Sequence, residues 1–286
     1  MSIKAVEIKE AVRDCLVKAG TSFRPDQIEA YKKAIQTETQ PNPRWVLEQL
    51  LQNAKAAKKL KLPLCDDTGI PHVIAEVGDK ADLAPGWLQA IQEGIALGLR
   101  DMPGRPMAVK GNARQRMEQS QGLYMDPGKL DLAPVVTLPA RGAALRLTVL
   151  LLGGGPAIRG RTFRIFHCRS LDHVLDEAAG WVVEAAGFLG CTPCVIAMGM
   201  GRSQSEASNL MLLAMAKGSL RKQSIEEKRV TDLVNKTGVG PLGLGGGHTA
   251  LGTFIKIGPA RASGVRIVSV RPCCCVEPRR AGVRLE

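Results

Sequence analysis

Apolar residues recur at helical spacing through the first 60 residues of the chain. Val46, Leu50 and Ala54, for example, are four residues apart and share one face of a helix. A second stripe of the same kind covers residues 88–99. The pattern therefore predicts helices over residues 1–60 and a further helix over residues 88–99.

Further along the chain, short apolar runs next to glycines indicate strands. These runs are HVIAEVG, ALRLTVLLL, CVIAMGMG, GTFIKIG and GVRIVSV. Helical stretches alternate with them, so the predicted class is mixed α/β (α+β), with an N-terminal helical region followed by mixed sheet and helices. Residues 101–132 are polar and rich in Gly, Pro, Arg and Gln, which predicts a long surface loop or a connection between two lobes.

Several helix ends carry sequence signals. An apolar-striped helix is predicted over residues 170–189, with Gly190 as its C-terminal cap. The stretches SQSE at residues 203–206 and SIEE at residues 224–227 have the spacing of a capping box, in which the first and last side chains satisfy each other's backbone amides. Each capping box predicts the start of a helix.

Composition is that of a globular protein, with 45% apolar and 23% charged residues in a chain of 286. The N-terminal stretch MSIKAVEIKEAVRD lacks the apolar core of a signal peptide. No apolar run approaches the roughly 20 residues that span a bilayer. We therefore expect a cytoplasmic protein with no membrane contact.

The formal net charge of +12 predicts an anionic partner. Lys and Arg are scattered along the chain, and aromatic residues make up only 3% of it, so the pattern disfavours nucleic acid. The glycine-rich stretches GGGPAIRG, GMGRSQ and GLGGGHTALG lack the endings of a P-loop or a dinucleotide fingerprint. Their backbone amides could instead hold carboxylates or simply form tight turns.

Eight cysteines need an explanation in a compartment where structural disulfides are rare. Cys15 and Cys168 are interpreted as small buried hydrophobic residues. The other six fall into three groups at predicted turns, namely Cys65, the pair in GCTPC, and the triplet in RPCCCVEPRR.

The cysteine groups allow more than one interpretation. A single C-x-x-C can be a redox pair or half of a zinc site. One ligand from each group would instead give three thiolates, which could hold a four-iron cluster with one iron open to substrate. The triplet cannot bind one metal through all three side chains without severe strain, so one of its cysteines is expected to be the ligand.

The motifs LCDDTG, CTPCVIAMGMG, VNKTGVGPLGLGGG and CCCVEPRRA, in this order, resemble the α subunit of class I (iron–sulfur) fumarate hydratase and L(+)-tartrate dehydratase. The resemblance runs from about residue 5 to the C-terminus. It implies one catalytic iron–sulfur domain over residues 1–286, with two lobes that could be connected around residues 101–132 and the cluster site between segments.

The resemblance also implies a [4Fe–4S] cluster held by Cys65, Cys191 and one cysteine of the triplet. Counting from the upstream strand favours Cys274, whereas counting back from the paired arginines favours Cys275. We prefer Cys274, because a strand fixes the register better than the loop beyond it. Cys194 is expected to lie beside the cluster without binding it.

The same resemblance makes Asp67 the catalytic acid and assigns Asp66, Thr68, Lys110 and Arg159 to substrate binding. Asp66 replaces a glutamine of the family, and its charge would repel a carboxylate. Lys110 replaces an arginine, and lysine cannot grip a carboxylate bidentately. The substrate pocket is therefore expected to differ from that of fumarate hydratases.

The implied function is that of a hydro-lyase α subunit. It would catalyse reversible hydration of a small hydroxy-dicarboxylate, malate/fumarate-like or tartrate-like, with the cluster as Lewis acid. In this family a second, smaller β subunit or a C-terminal domain supplies the base and further substrate contacts. We expect a separately encoded β-type partner. The alternative is a non-catalytic, cysteine-rich metal or redox-sensing protein.

Overall fold

The computed structural model describes residues 2–286. The chain forms two compact units, each built from separate segments. The first unit contains the residues up to Ser22, then Ala54–Gly153 and Arg279–Glu286, and the second contains Phe23–Asn53 and Gly154–Pro278. Each unit has helices and one four-stranded sheet, so the mixed α/β class is confirmed.

Helices occupy the N-terminal part of the chain, as predicted, and then alternate with strands. Within residues 2–286 the α-helices are α1 (Ala5–Thr21), α2 (Pro25–Thr37), α3 (Pro41–Leu60), α4 (Trp87–Asp101), α5 (Ala113–Glu118), α6 (Gly154–Arg159), α7 (Leu171–Ala186), α8 (Gln204–Lys217) and α9 (Ile225–Asn235). The predictions for residues 1–60 and 88–99 are confirmed.

The five predicted strands are all present, together with three that the apolar pattern did not indicate. In chain order the strands are β1 (Ile70–Gly78), β2 (Val136–Ala140), β3 (Leu145–Leu152), β4 (Arg161–Phe166), β5 (Cys194–Gly201), β6 (Ala250–Ile257), β7 (Val265–Cys273) and β8 (Arg279–Leu285). The unpredicted strands are β2, β4 and β8.

In the first unit the strand order is β2-β1-β3-β8. β1 is parallel to β2 and antiparallel to β3, which is in turn antiparallel to β8. Helices α1 and α4 pack on each other and on this sheet. Gly94 of α4 permits this close approach, because a Cβ atom there would lie 2.5 Å from the carbonyl oxygen of Lys9.

In the second unit the strand order is β4-β7-β5-β6. Every residue of the central strand β5 is buried, which accounts for its near-continuous apolar sequence. β5 is parallel to β6 and antiparallel to β7. Val182 of α7 and Val230 of α9 belong to the apolar core under this sheet.

Two predicted helix ends differ from the structure. α7 ends at Ala186, and Gly190, with φ of 75°, lies beyond it in the loop before β5. The predicted capping box at residues 203–206 is only half formed, because the Glu206 carboxylate accepts the Arg202 amide at 2.6 Å instead of the Ser203 amide. The capping box at residues 224–227 is confirmed.

Residues 101–132 lie wholly within the first unit. They contain α5, a short 3₁₀ turn at Pro127–Lys129 and an isolated bridge between Val109 and Leu123. Most of the side chains between residues 110 and 125 are exposed. Among residues 2–286, no helix combines the length and apolar character needed to cross a membrane.

Candidate functional site

The LCDDTG motif forms a loop of the first unit between the end of α3 and the start of β1. The Oδ1 atom of Asp67 accepts the Gly69 amide at 3.0 Å, which closes a tight turn. Arg279 donates from Nη1 to the Asp67 carbonyl oxygen at 2.7 Å. Gly69 has φ of 80°, and a Cβ atom there would lie 2.5 Å from Arg279 Nη2 and 3.0 Å from the Leu152 backbone, so the position favours glycine.

Cys65 and Asp66 contact each other at the outer end of this loop. The half-buried Cys65 thiol donates to Asp66 Oδ1 at 3.3 Å. That hydrogen bond is the main reason why the pKa of Asp66 is lowered, and the Asp67 amide contributes next. The Asp66 side chain is 87% exposed and lies 3.8 Å from Arg105 Nη1. Asp66 is therefore ionised near neutral pH and points to solvent.

Thr68 is 1% exposed, and its hydroxyl accepts the Arg105 amide at 2.6 Å. It thereby fixes the start of the segment after α4. Lys110 is exposed, and its ammonium lies 5.7 Å from the centre of the Tyr124 ring. Of the assigned residues in the first unit, the structure thus places four on one loop and Lys110 in the polar segment.

The GCTPC motif forms the loop between α7 and β5 in the second unit. Cys191 is exposed, whereas the following Thr192 is buried. The Thr192 hydroxyl donates to the Gly240 carbonyl oxygen at 2.5 Å, and the Leu242 amide donates to the Thr192 carbonyl oxygen at 3.1 Å. The glycine-rich stretch GVGPLGLGGG therefore braces the Cys191 loop.

Gly240 is required in this brace. Its φ is 67°, and a Cβ atom would lie 1.5 Å from the Gly245 carbonyl oxygen. The Gly240 amide donates to the Thr249 hydroxyl at 3.0 Å, and the Cys194 amide donates to the Thr249 carbonyl oxygen at 2.8 Å. The glycines thus serve close backbone packing beside the Cys191 loop.

The cysteine triplet lies where β7 ends. Cys274 is half-buried, and the Glu277 amide donates to its carbonyl oxygen at 3.0 Å, so the chain turns directly after it. The Cys275 amide donates to the Cys191 carbonyl oxygen at 2.8 Å. The two cysteine loops of the second unit are therefore in direct backbone contact.

Two side chains of helix α2 and that of Arg24, the residue just before it, support this turn. The Tyr31 hydroxyl donates to the Cys275 carbonyl oxygen at 2.7 Å, and Arg24 donates from Nη1 to the Pro278 carbonyl oxygen at 2.5 Å. Gln27 donates to the Val276 carbonyl oxygen at 3.4 Å. Burial raises the pKa of Tyr31 well above its usual value, so its hydroxyl keeps the proton that it donates.

A buried ion pair closes the base of the same turn. Arg271 Nη2 lies 3.1 Å from Glu277 Oε2, and the two side chains are 7% and 0% exposed. The pair joins the last residues of β7 to the end of the triplet loop. Removing either partner would leave the other charge buried.

Arg159, the last residue of α6, is attached to the segment that leads to Cys191. Its Nε donates to the Phe188 carbonyl oxygen at 3.1 Å, and its guanidinium lies 5.6 Å from the centre of the Phe188 ring. Phe188 stands between the end of α7 and Cys191. The structure therefore brings Arg159 and Cys191 into the same part of the second unit.

Burial divides the eight cysteines. Cys191 is exposed, and Cys65 and Cys274 are half-buried. Burial raises the pKa of Cys194 to about 12, and it raises that of Cys273 well above its usual value, so both keep their protons. Cys15 and Cys275 are also buried, whereas Cys168 is exposed at a position with φ of 47°.

The expectation that Cys168 is buried is thus wrong, because it lies in the turn between β4 and α7. The accessible thiols include all three of the preferred cluster ligands, and thiolates are the donors that iron–sulfur clusters require. Within each unit taken alone, the described residues form no group of three or more Cys, His, Asp or Glu side chains placed to share a metal ion.

Sequence patterns missed several residues that hold the two loops. Arg105 lies in the polar segment after α4, and Arg279 is known only as part of a basic pair. In the sequence, Arg24 and the face of α2 that carries Gln27 and Tyr31 resemble an ordinary solvated helix face. Gln27 and Tyr31 are buried, and a buried polar side chain requires a partner, but this burial is visible only in the structure.

Comparison with known proteins places the chain in a family. The sequence model of the family described as "Fumarate hydratase (Fumerase)" matches residues 9–284. The chain is 25% identical over 267 residues to the "Putative L(+)-tartrate dehydratase subunit alpha" of Methanocaldococcus jannaschii, covering 88% of this chain and 89% of that protein.

It is also 22% identical over 276 residues to the "L(+)-tartrate dehydratase subunit alpha" of Escherichia coli strain K12, covering 93% of this chain and 88% of that protein. A second Escherichia coli relative of the same name, from O157:H7, is 23% identical over the same length. The family match covers nearly the whole chain, and the similarity to the relatives extends over most of this chain and of theirs. The chain therefore belongs to the fumarate hydratase (Fumerase) family, which supports a hydro-lyase function.

Proposed function

We propose that the chain is the α subunit of a hydro-lyase that acts on a small hydroxy-dicarboxylate, malate/fumarate-like or tartrate-like. Family membership supports the reaction class. The relatives are named as α subunits of L(+)-tartrate dehydratase, which supports both a C4 hydroxy-dicarboxylate substrate and a separate β-type partner. A cysteine-rich metal or redox sensor remains the alternative outcome of the test below.

The proposed ligands of a [4Fe–4S] cluster are Cys65, Cys191 and Cys274. The observation that carries this proposal is the hydrogen bond from the Cys275 amide to the Cys191 carbonyl, which holds the exposed Cys191 beside the turn of Cys274. Accessibility supports Cys274 over Cys275, because Cys274 is half-buried and Cys275 is buried. The glycine-rich loop and α2 would keep these loops in place as ligands are bound.

When bound, such a cluster supplies Lewis acidity at an iron that no protein thiolate holds. The chain's own contribution is proton movement and orientation. Asp67 is proposed to exchange a proton with the substrate hydroxyl. Its Oδ1 accepts the Gly69 amide, which fixes the rotation of the carboxyl group, and Arg279 fixes the backbone beneath it.

The proposed substrate-binding residues are of three kinds. Lys110 and Arg159 are cations that suit the carboxylates of a hydroxy-dicarboxylate. Thr68 acts through its hydrogen bond to Arg105, because its hydroxyl is buried and already accepts that amide. Asp66 is ionised and lies beside Arg105, so it would disfavour a carboxylate at that end of the pocket.

The experiment is anaerobic co-expression of this chain with a β-type subunit, followed by assay of dehydration and hydration on C4 and C5 hydroxyacids. We expect turnover of at least one hydroxy-dicarboxylate by the complex and none by the single chain. Iron–sulfur absorption without turnover on any of these acids would favour the sensor. Full turnover by the purified single chain would contradict the requirement for a partner.

A further inference from the structure

The second unit contains a cavity of about 640 Å³. Its lining includes none of the residues assigned to cluster or substrate binding. Its walls come from α2, from the loop between α8 and α9, from α9 itself and from the start of β6. A cavity of this size lies within the range of roughly 300–1,000 Å³ that is typical of small-molecule sites.

The lining is strongly cationic. Four basic side chains and one carboxylate, Asp232, face the cavity. The basic residues are Lys33, Arg221, Lys222 and Lys228.

Only one of these four cations is neutralised by a neighbour. Arg221 forms a bidentate pair with Glu29, at 2.5 and 2.6 Å. Within residues 2–286, no carboxylate lies within 4.0 Å of the ammonium groups of Lys33, Lys222 or Lys228. Three exposed like charges from three different elements line one cavity, and together they create a positive potential there that attracts an anion.

The polar walls between the lysines are held in place by the backbone. Asn235 donates to the Ala250 carbonyl oxygen at 3.2 Å and accepts the Ala250 amide at 2.7 Å. Gln223 accepts the Thr253 amide at 2.9 Å. These side chains cannot rotate into the cavity without losing those hydrogen bonds. This part of the cavity is therefore preformed, and ordering it on ligand binding would cost little conformational entropy.

His248 borders the same cavity and adds no charge near neutral pH. Its ring lies 3.0 Å from the Thr37 hydroxyl. Burial is the main cause that lowers the pKa of His248; the nearby Glu38 carboxylate opposes this shift, and Lys33 adds to it. The neutral ring can exchange a hydrogen bond with a ligand, while the lysines provide the charge.

We propose that this cavity binds a small polyanion, such as one that carries phosphate groups or several carboxylates. The positive charge of Lys33, Lys222 and Lys228 would recognise the anion, and Ala30 and Ala34 of α2 would form the floor. The edge from His248 to Gly252 continues the glycine-rich loop that braces Cys191, so an occupied cavity would also stiffen that loop. The proposal does not depend on the hydro-lyase assignment.

The test is isothermal titration of the full-length chain with inorganic pyrophosphate, ATP and citrate at low ionic strength. The first two probes carry phosphates and the third carries only carboxylates, so the three together show which anion the cavity prefers. We expect at least one of them to bind, with an affinity that falls as salt is added. The double variant Lys222→Gln/Lys228→Gln should weaken that binding roughly tenfold or more, as expected when two charge-assisted contacts are lost.

The matched control is Lys58→Gln/Lys59→Gln, which removes the same net charge from exposed positions at the end of α3, outside the cavity. It should change affinity less than twofold. If the first double variant misfolds by circular dichroism, Lys33→Gln tests the same site from α2. Equal weakening by cavity and control variants, or no binding of any probe at millimolar concentration, would overturn the proposal.

Discussion

The backbone amide of Cys275 donates a 2.8 Å hydrogen bond to the carbonyl oxygen of Cys191. Residues far apart in sequence are thereby fixed to each other through main-chain atoms, which no side-chain substitution can easily disturb. The exposed Cys191 and the half-buried Cys274 lie on the two loops that this bond joins. A cluster bound there would find two of its ligands already positioned.

The buried Arg271–Glu277 pair should be essential to the triplet turn. Glu277→Gln leaves the Arg271 charge buried without its counter-ion, so we expect the free energy of unfolding to fall by about 3–5 kcal/mol. Urea denaturation followed by circular dichroism measures this change.

The matched control for the buried pair is Glu118→Gln. It breaks an exposed i,i+4 pair with Arg114, whose side chains are 85% and 50% exposed. That change should cost less than about 0.5 kcal/mol. If Glu277→Gln costs no more than Glu118→Gln, the buried pair does not hold the turn.

Asp67→Asn should separate chemistry from structure. In the wild type the Gly69 amide lies 3.0 Å from Asp67 Oδ1. Asparagine also offers an Oδ1 acceptor to this amide, but it cannot exchange a proton with the substrate. We expect turnover by the complex with its partner to fall by roughly 10² to 10⁴, while the iron content stays at the wild-type value. Turnover within threefold of wild type would remove Asp67 from the mechanism.

Asp66→Gln introduces the amide that the family resemblance implies at this position and removes an ionised carboxylate from the loop. Its ion pair with Arg105 is 3.8 Å long and exposed, so we expect little change in stability. Loss of one like charge should favour a dicarboxylate by about 1 kcal/mol, or a roughly fivefold lower KM. Asp101→Asn, another exposed acid of the first unit, is the control. An unchanged KM for every dicarboxylate tried would mean that Asp66 faces away from substrate.

Two glycines of the first unit with the same backbone angle offer a paired test of the Asp67 turn. Gly69 and Gly86 have φ of 80° and 79°. A Cβ atom at position 86 meets no atom within 4 Å. Gly86→Ala should therefore lower the free energy of unfolding only by the cost of a left-handed backbone conformation, about 1–2 kcal/mol.

Ala at position 69 would also meet Arg279 Nη2 at 2.5 Å and the backbone of Leu152 at 3.0 Å. Gly69→Ala should therefore cost a further 1–3 kcal/mol, roughly, from overpacking, and it should lower turnover as well. Thermal denaturation and the turnover assay measure both effects. If Gly69→Ala and Gly86→Ala lower stability equally, the close contacts at position 69 do not contribute to the cost.

Regular elements with a clear apolar period were the ones that sequence could predict. The three N-terminal helices have such periods, and the buried strand β5 could be predicted from its near-continuous apolar run. Strand β8 begins with Arg279 and Arg280, and its sequence RRAGVRL lacks a continuous alternation, so its pairing with β3 could not be foreseen. α7 ends at Ala186, before Gly190, because the chain must turn to place the Cys191 loop. Tertiary contacts set that position, and local helix propensity contains no information about them.

The candidate site was predictable only as a set of residue types in order. Cys65, Cys191 and Cys274 could be named from their motifs, but the contacts that hold them join distant parts of the sequence. The Arg279–Asp67 hydrogen bond spans 212 positions and the Tyr31–Cys275 hydrogen bond spans 244. Sequence periodicity reports on neighbours within an element, so it carries no information about such pairs.

The most direct test of the central proposal compares two cysteines of one loop. Cys191 is exposed and Cys194 is buried, although only two residues separate them. Iron should be measured in anaerobically purified wild type, Cys191→Ser and Cys194→Ser, each normalised to folded chain. The account predicts about four irons per chain in the wild type, the same in Cys194→Ser, and loss of the cluster in Cys191→Ser. A full complement of iron in Cys191→Ser would contradict it.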